Sequence, residues 1–461
     1  MKPAAIGIAT GVAVGGAIAA VSRGETLVPW PSRVRTAFPL LLGGVAGVAA
    51  GLKVGAGASL LRAVRGRGPG PVTTVTPIVV GAGLAMGVSA AAIYGRDRFL
   101  TMMTAQSRDL DPGFATAPAG ESVSGGKASA VTMAELGREG ARFVGTATTA
   151  DDVRAVMGQE PVTTPVRVFI GVDAADTVEQ RVGLAMSELR RTGAFDRSVL
   201  LVQAPAGTGY ANATPVDVIE LLTLGDAAAV AIGYGLLPSF LSLGKTEIAA
   251  KTQRLLLDAI RDELSTRATS PRILLYGESL GARVQEAAVP AGPIDLDHYG
   301  IDAALWVGTP GGQTADTFHG LCAAESFTVD RPDQIPADLP QPRPRVWFLE
   351  HDGDPVVRFR PDLLLERPAW LPTDGTRGRN IPATMRWLPG ITWAQAMVDT
   401  FFATNIKPGD FQSLGHDYRA DLGVVVTAAY RLEATAEQAD RLDTHLRTLE
   451  VQRAERIAEP A

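Results

Sequence analysis

The chain has 461 residues, of which 46% are hydrophobic and only 20% charged, against roughly 25% charged in an ordinary soluble domain. Acidic residues (49) outnumber basic ones (43), giving a net charge of -6; this argues against nucleic acid as a partner, and the apolar content argues against disorder. The single cysteine, Cys322, excludes an internal disulfide framework and any cysteine-rich metal centre, and it reads as a small core residue.

The apolar excess lies at the front. Pro3 to Ser22 and Gly68 to Gly95 contain no charged residue, and residues 37–61 contain only Lys53. A helix of about 20 apolar residues crosses a bilayer core of roughly 30 Å. Residues 1–98 are therefore expected to form a helical transmembrane domain of about three spans, near 3–22, 37–61 and 71–95. Gly7, Gly11 and Gly15, then Gly43, Gly47, Gly51 and Gly55, then Gly83 and Gly87 recur at helical spacing, a pattern that lets membrane helices approach closely. Two other readings are a cleaved signal peptide ending near Ala17-Ile18-Ala19 and a set of buried soluble helices. Arginines flank every span, so the positive-inside rule assigns no orientation.

Residues 99–165 read as a connector, with a Gly/Ser/Pro-rich loop from Asp111 to Gly126. Two short capped helices follow, opened by Thr132 and Thr149 and stopped by Gly137 and Gly158.

From Val166 to about residue 430, short apolar runs alternate with helical patterns. Strands are expected at Val166, Ser198, Ala227, Arg272, Ala303, Arg345 and Met385, with a long helix from Thr246 to Arg267. That alternation predicts an α/β domain built on a mostly parallel sheet covered on both faces. Residues 431–461 read as a charged C-terminal helix and tail.

The chemistry is sought at the carboxyl ends of the strands. Gly277-Glu278-Ser279-Leu280-Gly281 follows the fourth strand and matches G-x-S-x-G, whose glycines permit a sharp strand-to-helix turn that projects the serine hydroxyl. A nucleophilic serine needs a base, and the base an orienting acid, here expected downstream in the order Ser, Asp, His. Asp354 lies in the turn after the sixth strand, with Asp352 as the alternative acid. Of five histidines, His298 and His319 come too early, His351 adjoins the acid and reads as shaping its loop, and His445 lies in the charged terminal helix. His416, on a glycine-bearing loop, is the expected base.

Leu280 N–H and a donor among Gly207, Thr208 and Gly209 are the candidate oxyanion hole. Leu237, Phe240, Trp393 and Phe401 are candidate pocket residues, with core packing as the plainer reading of the Trp393–Phe402 stripe. The Pro-rich stretches 331–344 and 361–382 are long insertions of the kind that form lids. No metal or organic cofactor is called for.

These motifs resemble a bacterial family of membrane-anchored α/β-hydrolases. The resemblance is carried by Leu136-Gly-Arg-Glu-Gly-Ala-Arg-Phe-Val, the run Val166 to Thr177, Arg191 to Leu200, Gly277 to Gly281, Leu305-Trp-Val-Gly-Thr-Pro, Asp354-Pro-Val-Val and Gly415-His-Asp-Tyr. It implies an α/β-hydrolase fold behind a multi-span N-terminal domain, with Ser279, Asp354 and His416 in the triad positions. Family members typically carry four or more spans, whereas three are counted here. The expectation is an integral membrane serine hydrolase acting on a hydrophobic ester, with membrane lipids around its N-terminal helices. An acyltransferase using the same triad and an inactive membrane scaffold are the alternatives.

Overall fold

The computed structural model describes residues 3–21, 25–44, 108–236, 246–403 and 411–459. The chain divides into two compact units: residues 102–361, 378–380 and 403–461 form one, and residues 1–101, 362–377 and 381–402 the other.

The larger unit is built on seven strands: β1 Val166–Ile170, β2 Val199–Ala204, β3 Ala227–Ile232, β4 Arg272–Glu278, β5 Ile301–Val307, β6 Ser326–Val329 and β7 Val346–Leu349. Their order is β1-β3-β2-β4-β5-β7-β6, and every adjacent pair is parallel. β1, β2 and β3 are buried along their whole length, which explains why they read as unbroken apolar runs rather than alternating ones. Helices Val178–Arg191, Thr246–Leu264 and Leu280–Ala288 pack in one row, and Thr214–Leu222 packs with Arg419–Ala429 and Ala436–Ala458 in another.

Six strands form where the apolar runs predict them. The expected strand at Met385 does not form: it lies between Pro382 and Pro389, which lack the N–H a ladder needs, and Met385 N–H instead donates to Pro382 O in a turn. β6 has no counterpart in the sequence reading, because four residues on a sheet edge, of which only Val329 is buried, carry too little pattern to register.

Thr132 and Thr149 both close capping boxes, with Glu135 and Asp152 returning the bond. Gly158 ends its helix in the left-handed conformation, but Gly137 is a kink (φ 69°, ψ -179°) and not a stop; the helix runs from Met133 to Val144. This segment is strapped to the sheet through Arg167 of β1. Arg167 is fully buried, ion-paired with Asp217 (2.6 Å) and Glu220 (2.7 Å), and donates to Phe143 O (3.0 Å). The C-terminal helix Ala436–Ala458 buries Leu442 and Leu446 and pairs Arg453 with Asp217 at 2.5 Å.

In the smaller unit, Pro3–Val21 is a 19-residue helix without a charged side chain, and residues 32–44 are helical. A Cβ on Gly43 would overlap Gly15 O and come within 2.8 Å of Ala19 Cβ, the close approach that small residues permit. Among the described residues no helix is long and apolar enough to cross a membrane. The third expected span and most of the second lie outside the described residues. Asp399, on helix Ile391–Phe402, accepts from Trp30 Nε1 (2.6 Å) and Leu27 N–H (3.2 Å), while Leu27 packs with Leu371, Ile381 and Met385. Burial raises the Asp399 carboxyl to about 6 against the pull of these donors.

Candidate active site

β4 ends at Glu278 and helix Leu280–Ala288 begins one residue later, so Ser279 alone makes the turn. Its backbone sits at φ 56°, ψ -124°, a strained conformation for a residue with a side chain. Two glycines make the turn possible. A Cβ on Gly277 would come within 2.7 Å of the Ala282 backbone, and one on Gly281 would overlap Ala204 O at the end of β2. Ser279 N–H donates to Val307 O at 2.8 Å, tying the turn to the end of β5. Glu278 is held by Asn212 Nδ2 (2.7 Å) and Tyr276 OH (2.8 Å). Leu280, at the first helical position, has no carbonyl four residues back inside its helix.

Asp354 follows β7 and caps the short helix Pro355–Arg358. Its Oδ1 accepts from Val356 N–H at 2.8 Å, and its Oδ2 meets His416 Nδ1 at 2.6 Å and Tyr418 OH at 2.5 Å. Asp352, the alternative acid, is turned away: its carboxylate accepts from Arg358 (3.2 Å) and from Arg379 N–H (3.1 Å).

Because Asp354 accepts, the His416 ring carries its proton on Nδ1 and presents a lone pair at Nε2. Nε2 is buried and makes no hydrogen bond to any described residue. Burial disfavours the imidazolium, yet the Asp354 charge and hydrogen bond outweigh it, so the His416 pKa is raised. Gly308, just after β5, abuts the ring: a Cβ there would lie 2.7 Å from His416 Cε1. The serine turn and the imidazole therefore both border the end of β5. Ser279 is half-buried.

The loop after β2 lies beside the serine turn, because Ala204 pairs with Gly277 in the β2–β4 register. Within it, Gly209 N–H donates to Ala206 O and Ala206 N–H to Tyr210 O, both at 2.8 Å. Gly209 is thereby corrected as a donor: its turn consumes the N–H. Gly207 is buried and Thr208 half-buried. Trp393 and Phe401 belong to the smaller unit. The most buried positions of their helix are Thr392, Ala394, Gln395, Ala396 and Asp399, and Phe401 is exposed, so the aromatic stripe is not the helix's buried face. Leu237 and Phe240 lie outside the described residues. Cys322 is buried, and burial pushes its thiol up to about 12, as an inert core residue requires.

Sequence reasoning missed Tyr418, Gly308 and Glu350. Tyr418 and Gly308 stand inside the motifs Gly415-His-Asp-Tyr and Leu305-Trp-Val-Gly-Thr-Pro, which gave neither a role, and Glu350 had no signal. Glu350 ends up beside His319 (3.7 Å), and burial raises its carboxyl to about 7. Between 4.5, its ordinary value, and about 7 the folded chain holds a proton that the unfolded chain releases, so stability falls as pH rises through that window. Glu350→Gln is expected to raise the thermal midpoint at pH 8 and change it little at pH 4.5, worth roughly 1–3 kcal/mol at the higher pH. An equal shift at both pH values would remove titration as the cause.

A parallel sheet with a serine on a strand–helix turn after β4, followed by a paired aspartate and histidine on later loops, defines an α/β-hydrolase. The sequence model of an alpha/beta-hydrolase family matches residues 166–321 and 322–442, more than half of the chain, which therefore belongs to that family. Among solved structures, an acetyl xylan esterase is 18% identical, with 35% of this chain and 85% of that chain covered and a TM-score of 0.23. The catalytic core domain of acetyl xylan esterase from Trichoderma reesei is 16% identical, covering 34% and 84%, with a TM-score of 0.22. No curated protein matches the chain.

Proposed function

We propose that the chain is a membrane-anchored serine hydrolase that cleaves hydrophobic carboxylic esters. The observation that carries this reading is the buried Asp354–His416 contact: His416 Nε2 makes no hydrogen bond to any described residue, and the imidazole and the strained Ser279 turn both border the end of β5. Ser279 Oγ attacks the ester carbonyl carbon while His416 Nε2 takes its proton. The tetrahedral oxyanion is received by Leu280 N–H and a donor from Gly207 or Thr208, each worth around 3 kcal/mol. Collapse expels the alcohol, which His416 protonates, and water then hydrolyses the acyl-serine by the same relay run again. Asp354 holds the imidazole tautomer and stabilises the imidazolium.

The anchor is supported by the three apolar stretches and by the glycine-mediated approach of residues 3–21 and 32–44. Esters that partition into a bilayer are the substrates such an enzyme would meet. The reading is tested by labelling membranes with a fluorophosphonate probe. The full-length chain should label and Ser279→Ala should not; unchanged labelling of that variant would refute the nucleophile. Release of the chain by alkaline carbonate would refute the anchor.

A further inference from the structure

Next to the Asp354–His416 pair stands a second buried histidine–carboxylate pair. His351 Nδ1 donates to Gly415 O at 2.9 Å, the residue just before His416, and its Nε2 meets Asp421 Oδ2 at 2.8 Å. Asp421 also accepts from Ser413 Oγ at 2.6 Å. The His351 ring stacks on Tyr418 with centroids 4.0 Å apart, and Tyr418 OH is the donor that holds Asp354. Along the backbone, His351 N–H donates to the Tyr418 oxygen (3.2 Å) and His351 O accepts from Asp354 N–H (3.0 Å).

We propose that His351 is a positioning residue, locking the loop that carries the base to the loop that carries its acid. This rests on the hydrolase reading above. Three features separate this role from that of a histidine that merely fills the core. Both ring nitrogens sit against polar partners, the Gly415 carbonyl on one side and the Asp421 carboxylate with the Ser413 hydroxyl (3.2 Å) on the other, so no apolar side chain can replace the ring. The Gly415 carbonyl it holds belongs to a residue at φ 60°, where the backbone has glycine's extra freedom and an anchor matters most. The same side chain stacks on Tyr418, so ring, base loop and acid form one closed circuit. A displacement of about 1 Å at reacting atoms can cost on the order of 100-fold in rate.

The test uses the purified full-length chain in detergent, with p-nitrophenyl ester turnover and thermal midpoint measured together. His351→Phe keeps the stacking surface and loses both polar contacts. It should lower kcat by roughly 30- to 300-fold, leave KM within about twofold, and move the acid limb of kcat/KM downward as the His416–Asp354 contact loosens. His351→Asn, whose amide can still reach the Gly415 carbonyl, should recover most of kcat, and His351→Gln should not. A lower thermal midpoint with kcat and pH limb unchanged would reduce His351 to a core residue. Should His351→Phe fail to fold, the Asn and Gln variants decide, because equal wild-type activity in both overturns the proposal. Ser279→Ala, measured alongside, separates the two failures. If it retains turnover the hydrolase reading falls, whereas a dead Ser279→Ala beside a fully active His351→Phe sinks only the positioning role.

Discussion

His416→Ala is expected to lower kcat for ester cleavage by about 10⁴- to 10⁶-fold, and Asp354→Asn by about 10⁴-fold, with KM little changed in both. The two losses have different causes. On the proposed mechanism, nothing takes the Ser279 proton once the imidazole is gone, and only oxyanion stabilisation and substrate binding remain. With Asn at 354 the geometry is preserved, but an amide donor facing Nδ1 favours the tautomer that puts the proton on Nε2, where the lone pair is needed. The pH profile distinguishes them further. The base must be neutral to act, and its pKa in the folded chain is raised above 6.5, so kcat/KM of the wild type should rise through a limb above that value. In Asp354→Asn the limb should fall back. A His416→Ala variant within tenfold of wild type would refute the assignment of the base.

Gly308→Ala is the second large effect, at a residue that carries no chemistry. Gly308 sits at φ 57°, its N–H donates to Leu349 O at 2.9 Å, and an added Cβ would lie 2.7 Å from both His416 Cε1 and Tyr418 Cε2. Those rings are themselves buried and pinned to Asp354, so neither can yield without loosening the acid–base contact. Left-handed backbone at a non-glycine residue costs about 1 kcal/mol or more, and displacing the imidazole adds to it. The expected outcome is a kcat loss on the order of 100-fold or more together with a thermal midpoint lowered by several degrees. Gly320→Ala is the control: it lies within helix Gln313–Cys322 with nothing within 4 Å of its added methyl, so it should leave turnover unchanged. Wild-type kcat in Gly308→Ala would show that the imidazole is not confined as described.

Much of this molecule can be read before any contact is known, because the signals are local. Six of the seven strands announce themselves as buried apolar runs, Thr132 and Thr149 as caps, and Gly277-Glu-Ser-Leu-Gly281 as a turn that only glycines allow. Each depends on residues within a few positions of one another. The order Ser279, Asp354, His416 is likewise legible, since it follows from where each lies relative to a strand end. What the tertiary structure decided is which groups meet. Asp354 rather than Asp352 faces His416 across 62 residues of chain; Arg167 finds Glu220 across 53; His351 finds Asp421 across 70. The Gly209 N–H, free in the sequence reading, is consumed by a carbonyl three residues back. Periodicity and turn chemistry act through neighbouring torsions and are written in short windows, whereas a hydrogen-bond partner is chosen by distance in space. That distance exists only once the sheet has brought the ends of β4, β5 and β7 side by side.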